Sequence, residues 1–116
     1  MATYSNVTLS GSTSGRFVAV QSTASPGTTI HTAHTSTGVI DELHLWAHNE
    51  STADKTLTME WGGTSTLDRC TVNVPFQDGP YTVIPGMRLE GGVVTRAYSG
   101  STDVVLIGGY VNRITP

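Results

Sequence analysis

The sequence has little of what disulfide-bonded, metal-binding and membrane-spanning proteins depend on. Cys70 is the one cysteine among 116 residues, so the chain can form neither an internal disulfide nor a cluster of thiolate ligands. We expect it to be a small buried side chain of a strand. No apolar run approaches the roughly 20 residues that cross a bilayer, and the N-terminus lacks the blocks of a secretion signal. The sequence therefore predicts a mature chain that begins near Met1 and has no membrane contact.

Charged side chains are also scarce. Only 13% of the residues are charged, and the formal net charge is -3. Nucleic-acid binding needs clustered cations that displace counterions from phosphates, whereas the Arg residues here are scattered, so we expect no nucleic-acid partner. A freely diffusing domain usually carries about a quarter charged residues. The lower charge density of this chain favours a protein held within an assembly.

The residues that are abundant favour strands. The chain contains 19 Thr, 11 Ser and 13 Gly, whereas the helix formers Ala, Lys, Glu and Leu are sparse. Turn signals recur about every ten residues, as in sandwiches and barrels. We predict an all-β fold, with one antiparallel β-sandwich domain over residues 1–116 and eight or nine short strands in a jelly roll. The Ser- and Thr-rich residues 1–38 form strands of this sandwich or an extended arm that reaches a neighbouring subunit.

Two runs alternate most clearly between apolar and polar residues: VIDELHLWAHN (residues 39–49) and KTLTMEW (residues 55–61). Because the short polar segment ESTAD separates them, we predict an antiparallel hairpin. One face of the first run is core-like and contains Val39, Asp41, Leu43, Leu45 and Ala47. The opposite face contains Ile40, Glu42, His44, Trp46 and His48.

The two Trp residues are predicted to have different environments. Trp61 shares a strand face with Leu57 and Met59, which indicates a core residue. Trp46 lies in the outward row between two imidazoles. An outward Trp with a polar rim is typical of a protein-binding hot spot, but a position under a loop or at the sandwich edge fits the pattern equally well.

Two further patterns concern strand positions. Val104–Ile107 is apolar on both faces, which predicts a central strand, and the adjacent Gly108 and Gly109 indicate a bulge or a close approach of another backbone. Pro85 cannot donate to a ladder, so we expect it at a strand end or a sheet edge.

No arrangement of ionisable residues indicates catalysis or metal binding. His44 and His48 lie on the same strand face about 13 Å apart, which is too far for one metal ion. Asp41 and Glu42 point to opposite faces of a strand, so they cannot act as a carboxylate pair. We therefore predict that the protein is not an enzyme and has no catalytic residue, metal or cofactor.

The segments LWAHN, LTMEWGG, VIPG followed by VVTRAY, and the terminal GYVNRI resemble small virion proteins of tailed bacteriophages. Such proteins often act as capsid cement or decoration proteins, and the resemblance covers roughly residues 38–114. It implies a β-sandwich or jelly-roll fold and a homo-oligomer, with a trimer favoured. It also implies synthesis in the host cytoplasm and a place on the capsid surface. There the protein would bind the major capsid protein or other virion proteins between capsomers and stabilise the mature head.

Two other functions stay open. A tail or neck component would be structural in the same way, whereas a carbohydrate-binding module for host surface glycans would show an exposed row of coplanar aromatic rings. For the structural role we predict that the following residues make protein contacts: His44, Trp46, His48, Tyr110 and Arg113.

Overall fold

The computed structural model describes residues 2–116, which are mostly β-strand and loop. The strands in this range are β1 (Thr3–Val7), β2 (Val18–Ala19), β3 (Thr28–Thr32), β4 (Ile40–Asn49), β5 (Lys55–Trp61), β6 (Arg69–Val74), β7 (Tyr81–Leu89), β8 (Val94–Ser99) and β9 (Val105–Thr115). A short 3-10 helix covers Thr66–Asp68. Residues 2–116 include no helix with the length and apolar character that crossing a bilayer requires.

The strands form two antiparallel sheets that pack face to face. Sheet A has the order β1-β9-β4-β7, and the short strand β2 pairs with the same edge of β9 as β1 does. Sheet B has the order β3-β8-β5-β6. The prediction of an all-β antiparallel sandwich is confirmed.

The strand pairs are nested around the connection between β5 and β6. Strand β5 pairs with β6, β4 with β7, β3 with β8 and β2 with β9, so the chain is one long antiparallel ribbon. The ribbon is rolled up so that β4 also pairs with β9 and β5 with β8. This rolled ribbon has the topology of a jelly roll.

The predicted hairpin between residues 39–49 and 55–61 is wrong. Strand β4 belongs to sheet A and β5 to sheet B, so the loop between them crosses from one sheet to the other. Asn49 at the end of β4 is fully buried, and its side-chain amide donates to the carbonyl oxygens of Ala53 and Val74, 2.9 Å away in both cases. These bonds hold the crossing loop against the edge of sheet B.

The core lies between the inner faces of the two sheets. Along β4 the burial alternates at every residue, and Leu43, Leu45 and Ala47 on its inner face are fully buried. Met59 contributes to the core from sheet B, and Trp61 packs against it while remaining partly exposed. Because each sheet buries one face, the outer faces are the surfaces left for binding.

Strand β9 is central in sheet A, between β4 and the strands β1 and β2. At Gly109 a Cβ atom would overlap the carbonyl oxygen of His44 on the paired strand. The register between β4 and β9 is continuous at this point, so the glycine serves a close backbone approach rather than a bulge. Pro85 lies in β7, the edge strand of sheet A, and the register between β4 and β7 shifts on both sides of the His44–Pro85 pair.

The burial predicted for Cys70 is wrong. Strand β6 is the edge strand of sheet B, and the thiol of Cys70 is free and exposed. The alternation of Cys70, Val72 and Val74 is real, but burial increases along the row and is complete only at Val74. The start of this edge strand lies outside the core, so the inward-facing side chain of Cys70 is exposed although it alternates with Val72 and Val74.

Candidate binding face

The outer face of sheet A combines aromatic, polar and glycine residues in register. Its position follows from the ladder, because side chains paired across an antiparallel sheet point to the same face. The face contains Tyr4 and Asn6 of β1; Ile40, Glu42, His44, Trp46 and His48 of β4; Arg88 of β7; and Leu106, Gly108, Tyr110, Asn112 and Ile114 of β9.

Three rings stack at the centre of this face. His44 and Tyr110 are register partners, and their ring centroids lie 4.9 Å apart with an interplanar angle of 12°. Trp46 stacks on Tyr110 at 6.0 Å and 30°. Stacked rings cover each other's faces, so this group does not form the flat aromatic platform expected of a carbohydrate-binding module.

A shallow cavity of about 330 Å³ lies beside the stacked rings. Its lining residues are all uncharged: Gly15, Phe17, Trp46, Pro80, Gly108, Gly109 and Tyr110. The ring of Phe17 is 53% exposed, and a Cβ at Gly108 would come within 2.9 Å of it. Glycine at this position therefore lets Phe17 lie directly on β9. We call Phe17, His44, Trp46 and Tyr110 the aromatic cluster.

The structure brings together three of the predicted contact residues, His44, Trp46 and Tyr110. His48 lies on the same face, and its Nε2 is 2.5 Å from Oε1 of Glu50. Arg113 does not belong to this face: it is the register partner of Asp41 and points toward the inside of the sandwich. Arg113 therefore lies apart from the other predicted contact residues, and its guanidinium is bound to the buried carboxylate of Asp41.

Asp41 is the centre of a buried polar cluster that joins the two sheets. Its carboxylate accepts hydrogen bonds from Arg113 Nε at 2.7 Å and Nη2 at 3.0 Å. On the opposite side, His31 Nε2 of sheet B is 2.8 Å away, and the backbone N–H of His34 donates to the same carboxylate at 3.2 Å. Asp41 and His31 are both almost completely buried. Burial alone would raise the pKa of Asp41, but the hydrogen bonds from Arg113 and His31 and the charge of Arg113 outweigh it and hold this pKa below its ordinary value.

The His31–Asp41 pair lacks the arrangement of a catalytic dyad. The backbone N–H of Ser10 donates to His31 Nδ1 at 3.0 Å, so Nε2 carries the proton and donates to Asp41. The hydroxyl of Ser10 accepts from the backbone N–H of Thr32 at 2.7 Å. With both ring nitrogens occupied, this imidazole cannot take a proton from a nucleophile. Across residues 2–116, no three His, Cys, Asp or Glu side chains are placed to hold a metal ion.

A row of polar side chains crosses the outer face of sheet A beyond the aromatic cluster. Asn6 pairs with Asn112, Asn112 with Glu42, and Glu42 with Arg88, so the row spans all four main strands. Hydrogen bonds from His44 and Asn112 and the nearby charge of Arg88 hold the pKa of Glu42 below its ordinary value, so the carboxylate is ionised at neutral pH. A cavity of about 390 Å³ is lined by Tyr4, Ser5, Asn6, Glu42, Asn112 and Ile114. We call Asn6, Asn112, Glu42 and Arg88 the polar row.

The sequence interpretation missed three of these features. Asp41 stands in an otherwise apolar inward row, and a charged residue in a core-facing row is a signal for a buried ion pair. In an extended chain Phe17 points to the face opposite that of Val18 and Val20, so an outward ring was a possible interpretation of the sequence. The polar row left no signal, because its members come from distant parts of the chain.

Compared with protein-family models, with curated proteins and with solved structures, the chain has no match.

Proposed function

We propose that this chain is a non-enzymatic structural protein of a tailed-bacteriophage virion, and that it acts as a capsid cement or decoration protein. In this role the aromatic cluster on the outer face of sheet A contacts another virion protein. The observation that carries the proposal is the cavity among Phe17, Trp46 and Tyr110, which has a glycine floor and no charged lining residue.

Such a cavity has the character of a protein-binding hot spot. Aromatic residues dominate binding energy at interfaces when they are surrounded by groups that exclude water. His48 with Glu50, and the polar row at the other end of the face, form polar borders around the aromatic cluster. The resemblance of the sequence to small virion proteins supports the choice of a capsid partner.

Stabilisation would follow from mass action. A protein that binds the mature shell more tightly than the immature or broken shell shifts the equilibrium toward the mature one. Several copies arranged symmetrically would add up weak individual contacts into strong overall binding. This mechanism needs no cofactor and no reactive side chain.

The test is cosedimentation with empty heads assembled from the major capsid protein of the same genome. We expect saturable binding at a fixed copy number per head. Trp46→Ala should keep the fold, checked by circular dichroism, and weaken binding by at least about 30-fold, as expected for a hot-spot residue worth about 2 kcal/mol. Binding to isolated tails instead of heads would identify a tail or neck component.

The matched control is Tyr98→Ala. Tyr98 is a half-buried aromatic residue on the outer face of sheet B, where it lies beneath the guanidinium of Arg69. We expect this variant to bind heads like the unmodified chain. Equal loss of binding in both variants, or no saturable binding to any virion part, would refute the proposal.

A further inference from the structure

The polar row meets the aromatic cluster at His44, whose Nε2 is 2.9 Å from Glu42 Oε1, but the cavities beside the two groups share no lining residue. Glu42 and Trp46 lie on one strand four residues apart, which corresponds to about 13 Å. The row ends at exposed residues on the two opposite edge strands, Asn6 on β1 and Arg88 on β7. A protein contact at the aromatic cluster therefore leaves room for a ligand at the polar row.

The hydrogen bonds within the row have a direction. Asn6 Nδ2 lies 3.5 Å from Asn112 Oδ1, so the Asn112 carbonyl acts as the acceptor of this pair. His44 Nε2 donates to Glu42 Oε1 over 2.9 Å, and the Asn112 amide lies beside the same carboxylate as its register partner. This network orients the side chains and uses only part of their capacity. The Asn6 carbonyl and the second Glu42 oxygen remain as acceptors, and amide N–H groups of both Asn residues remain as donors.

We propose that the polar row binds a neutral saccharide through its hydroxyl groups. A hydroxyl both donates and accepts, so neighbouring hydroxyls match a site that offers acceptors and donors side by side. A phosphate would need donors alone, and a metal cation would need acceptors alone. Arg88 beside Glu42 offsets the charge of the carboxylate, which favours an uncharged ligand.

Tyr4 supplies the apolar part of such a site. Its ring is 72% exposed and lines the same cavity of about 390 Å³ as Asn6, Asn112 and Glu42. Ligand sites combine aromatic side chains with a few fixed polar groups, and the electron-rich face of a ring attracts the C–H edge of a sugar. The cavity is open to solvent at an edge strand, so the ligand is the end or a short stretch of a glycan.

The experiment is an NMR titration of the full 15N-labelled chain at pH 7. The probes are neutral trisaccharides of glucose, galactose, mannose and N-acetylglucosamine, each up to about 10 mM, where even a site with a Kd near 1 mM is mostly filled. We expect saturable shifts from at least one probe in the side-chain amides of Asn6 and Asn112. Asn6→Ala and Tyr4→Ala, both exposed positions, should each lower the association constant about fivefold to tenfold.

The matched control is Asn73→Ala, an exposed Asn in the edge strand of sheet B. It should leave the association constant unchanged. The proposal is overturned if no probe gives saturable shifts, if the shifts map to another surface, or if Asn73→Ala reduces them as much as Asn6→Ala does. Inorganic phosphate causing the same shifts more strongly than every saccharide would also overturn it.

This inference does not depend on the proposed virion role. A chain that binds a saccharide but no virion part would refute the structural role alone, whereas head binding without any saccharide shift would refute the polar-row site alone.

Discussion

The outer faces of the two sheets have different compositions, although both inner faces are mainly apolar. Sheet A presents stacked rings, glycines and the polar row. The corresponding face of sheet B is rich in Thr and contains Thr56, Thr58, Glu60, Arg69, Thr71, Asn73, Val94, Arg96 and Tyr98. The loop before β3 covers part of this outer face. In this loop, Ser25 Oγ and the Gly27 N–H both donate to the buried Glu60 carboxylate at a distance of 2.6 Å.

This difference separates what folding requires from what it leaves free. Burial selects apolar side chains on the inner face of either sheet, since each contributes by leaving water. Folding makes no such demand on an outer face, where Thr and other strand-compatible polar residues are sufficient. The aromatic cluster and the polar row of sheet A are the features that the two proposed binding roles would use.

We expect the largest loss in the free energy of unfolding from removing the buried carboxylate that joins the two sheets. Asp41→Ala leaves His31 and Arg113 without their shared carboxylate inside the sandwich. Breaking a buried ion pair by removing one partner costs about 3–5 kcal/mol, so we expect a loss of this size in the free energy of unfolding in urea. The control is Asp78→Ala at an exposed loop position, with a change within about 0.5 kcal/mol. A loss below about 1 kcal/mol for Asp41→Ala would show that the cluster does not hold the sheets together.

The two Trp residues allow the same substitution on an inner and an outer face. Trp61 packs against the core, so Trp61→Ala should reduce the free energy of unfolding by about 3 kcal/mol. Trp46→Ala on the outer face of sheet A should cost only about 1 kcal/mol. Urea denaturation of both variants gives the values. A larger loss for Trp46→Ala than for Trp61→Ala would mean that the aromatic cluster belongs to the folding core.

Gly109→Ala tests how closely the strands of sheet A must approach. The added Cβ would overlap the backbone oxygen of His44, so β4 and β9 would have to move apart at the aromatic cluster. Overpacking of this kind costs about 1–3 kcal/mol, measurable as a lower urea midpoint. Gly100→Ala is the control, because a Cβ there meets no atom within 4 Å. Equal stability of the two variants would contradict the close approach.

Acid should weaken the inner polar cluster around Asp41. The pKa of Asp41 is lowered on folding, so its stabilising contribution is present above the unfolded pKa near 3.8 and is lost as pH falls through the lower, folded value. We expect the free energy of unfolding to decline below about pH 4 and Asp41→Asn to flatten that decline. Urea midpoints at several pH values test this. An unchanged pH profile in Asp41→Asn would assign acid sensitivity to other carboxylates.

Alternation in the sequence was sufficient to predict the two faces of β4. The pattern of residues 39–49 correctly gave an inner row with Leu43 and Leu45 and an outer row with Trp46. It could not give the partners of each strand, because two consecutive alternating runs look the same whether they pair with each other or lie in different sheets. For that reason the predicted β4–β5 hairpin was wrong.

Residue type alone also misplaced two side chains. Arg113 was predicted at a surface, but its register opposite Asp41 directs it inward. Cys70 was predicted in the core, but β6 lies at the sheet edge. In both cases the environment depended on a neighbour supplied by a distant part of the chain.

The sequence by itself determined that this protein is a β-sandwich with one-sided strands, because strand propensity and period-two burial are local properties. Only the tertiary structure decided which side chains meet on the outer face of sheet A. The aromatic cluster and the polar row combine β1, β4, β7 and β9 with the loop before β2, and their register comes from rolling the whole ribbon into two sheets.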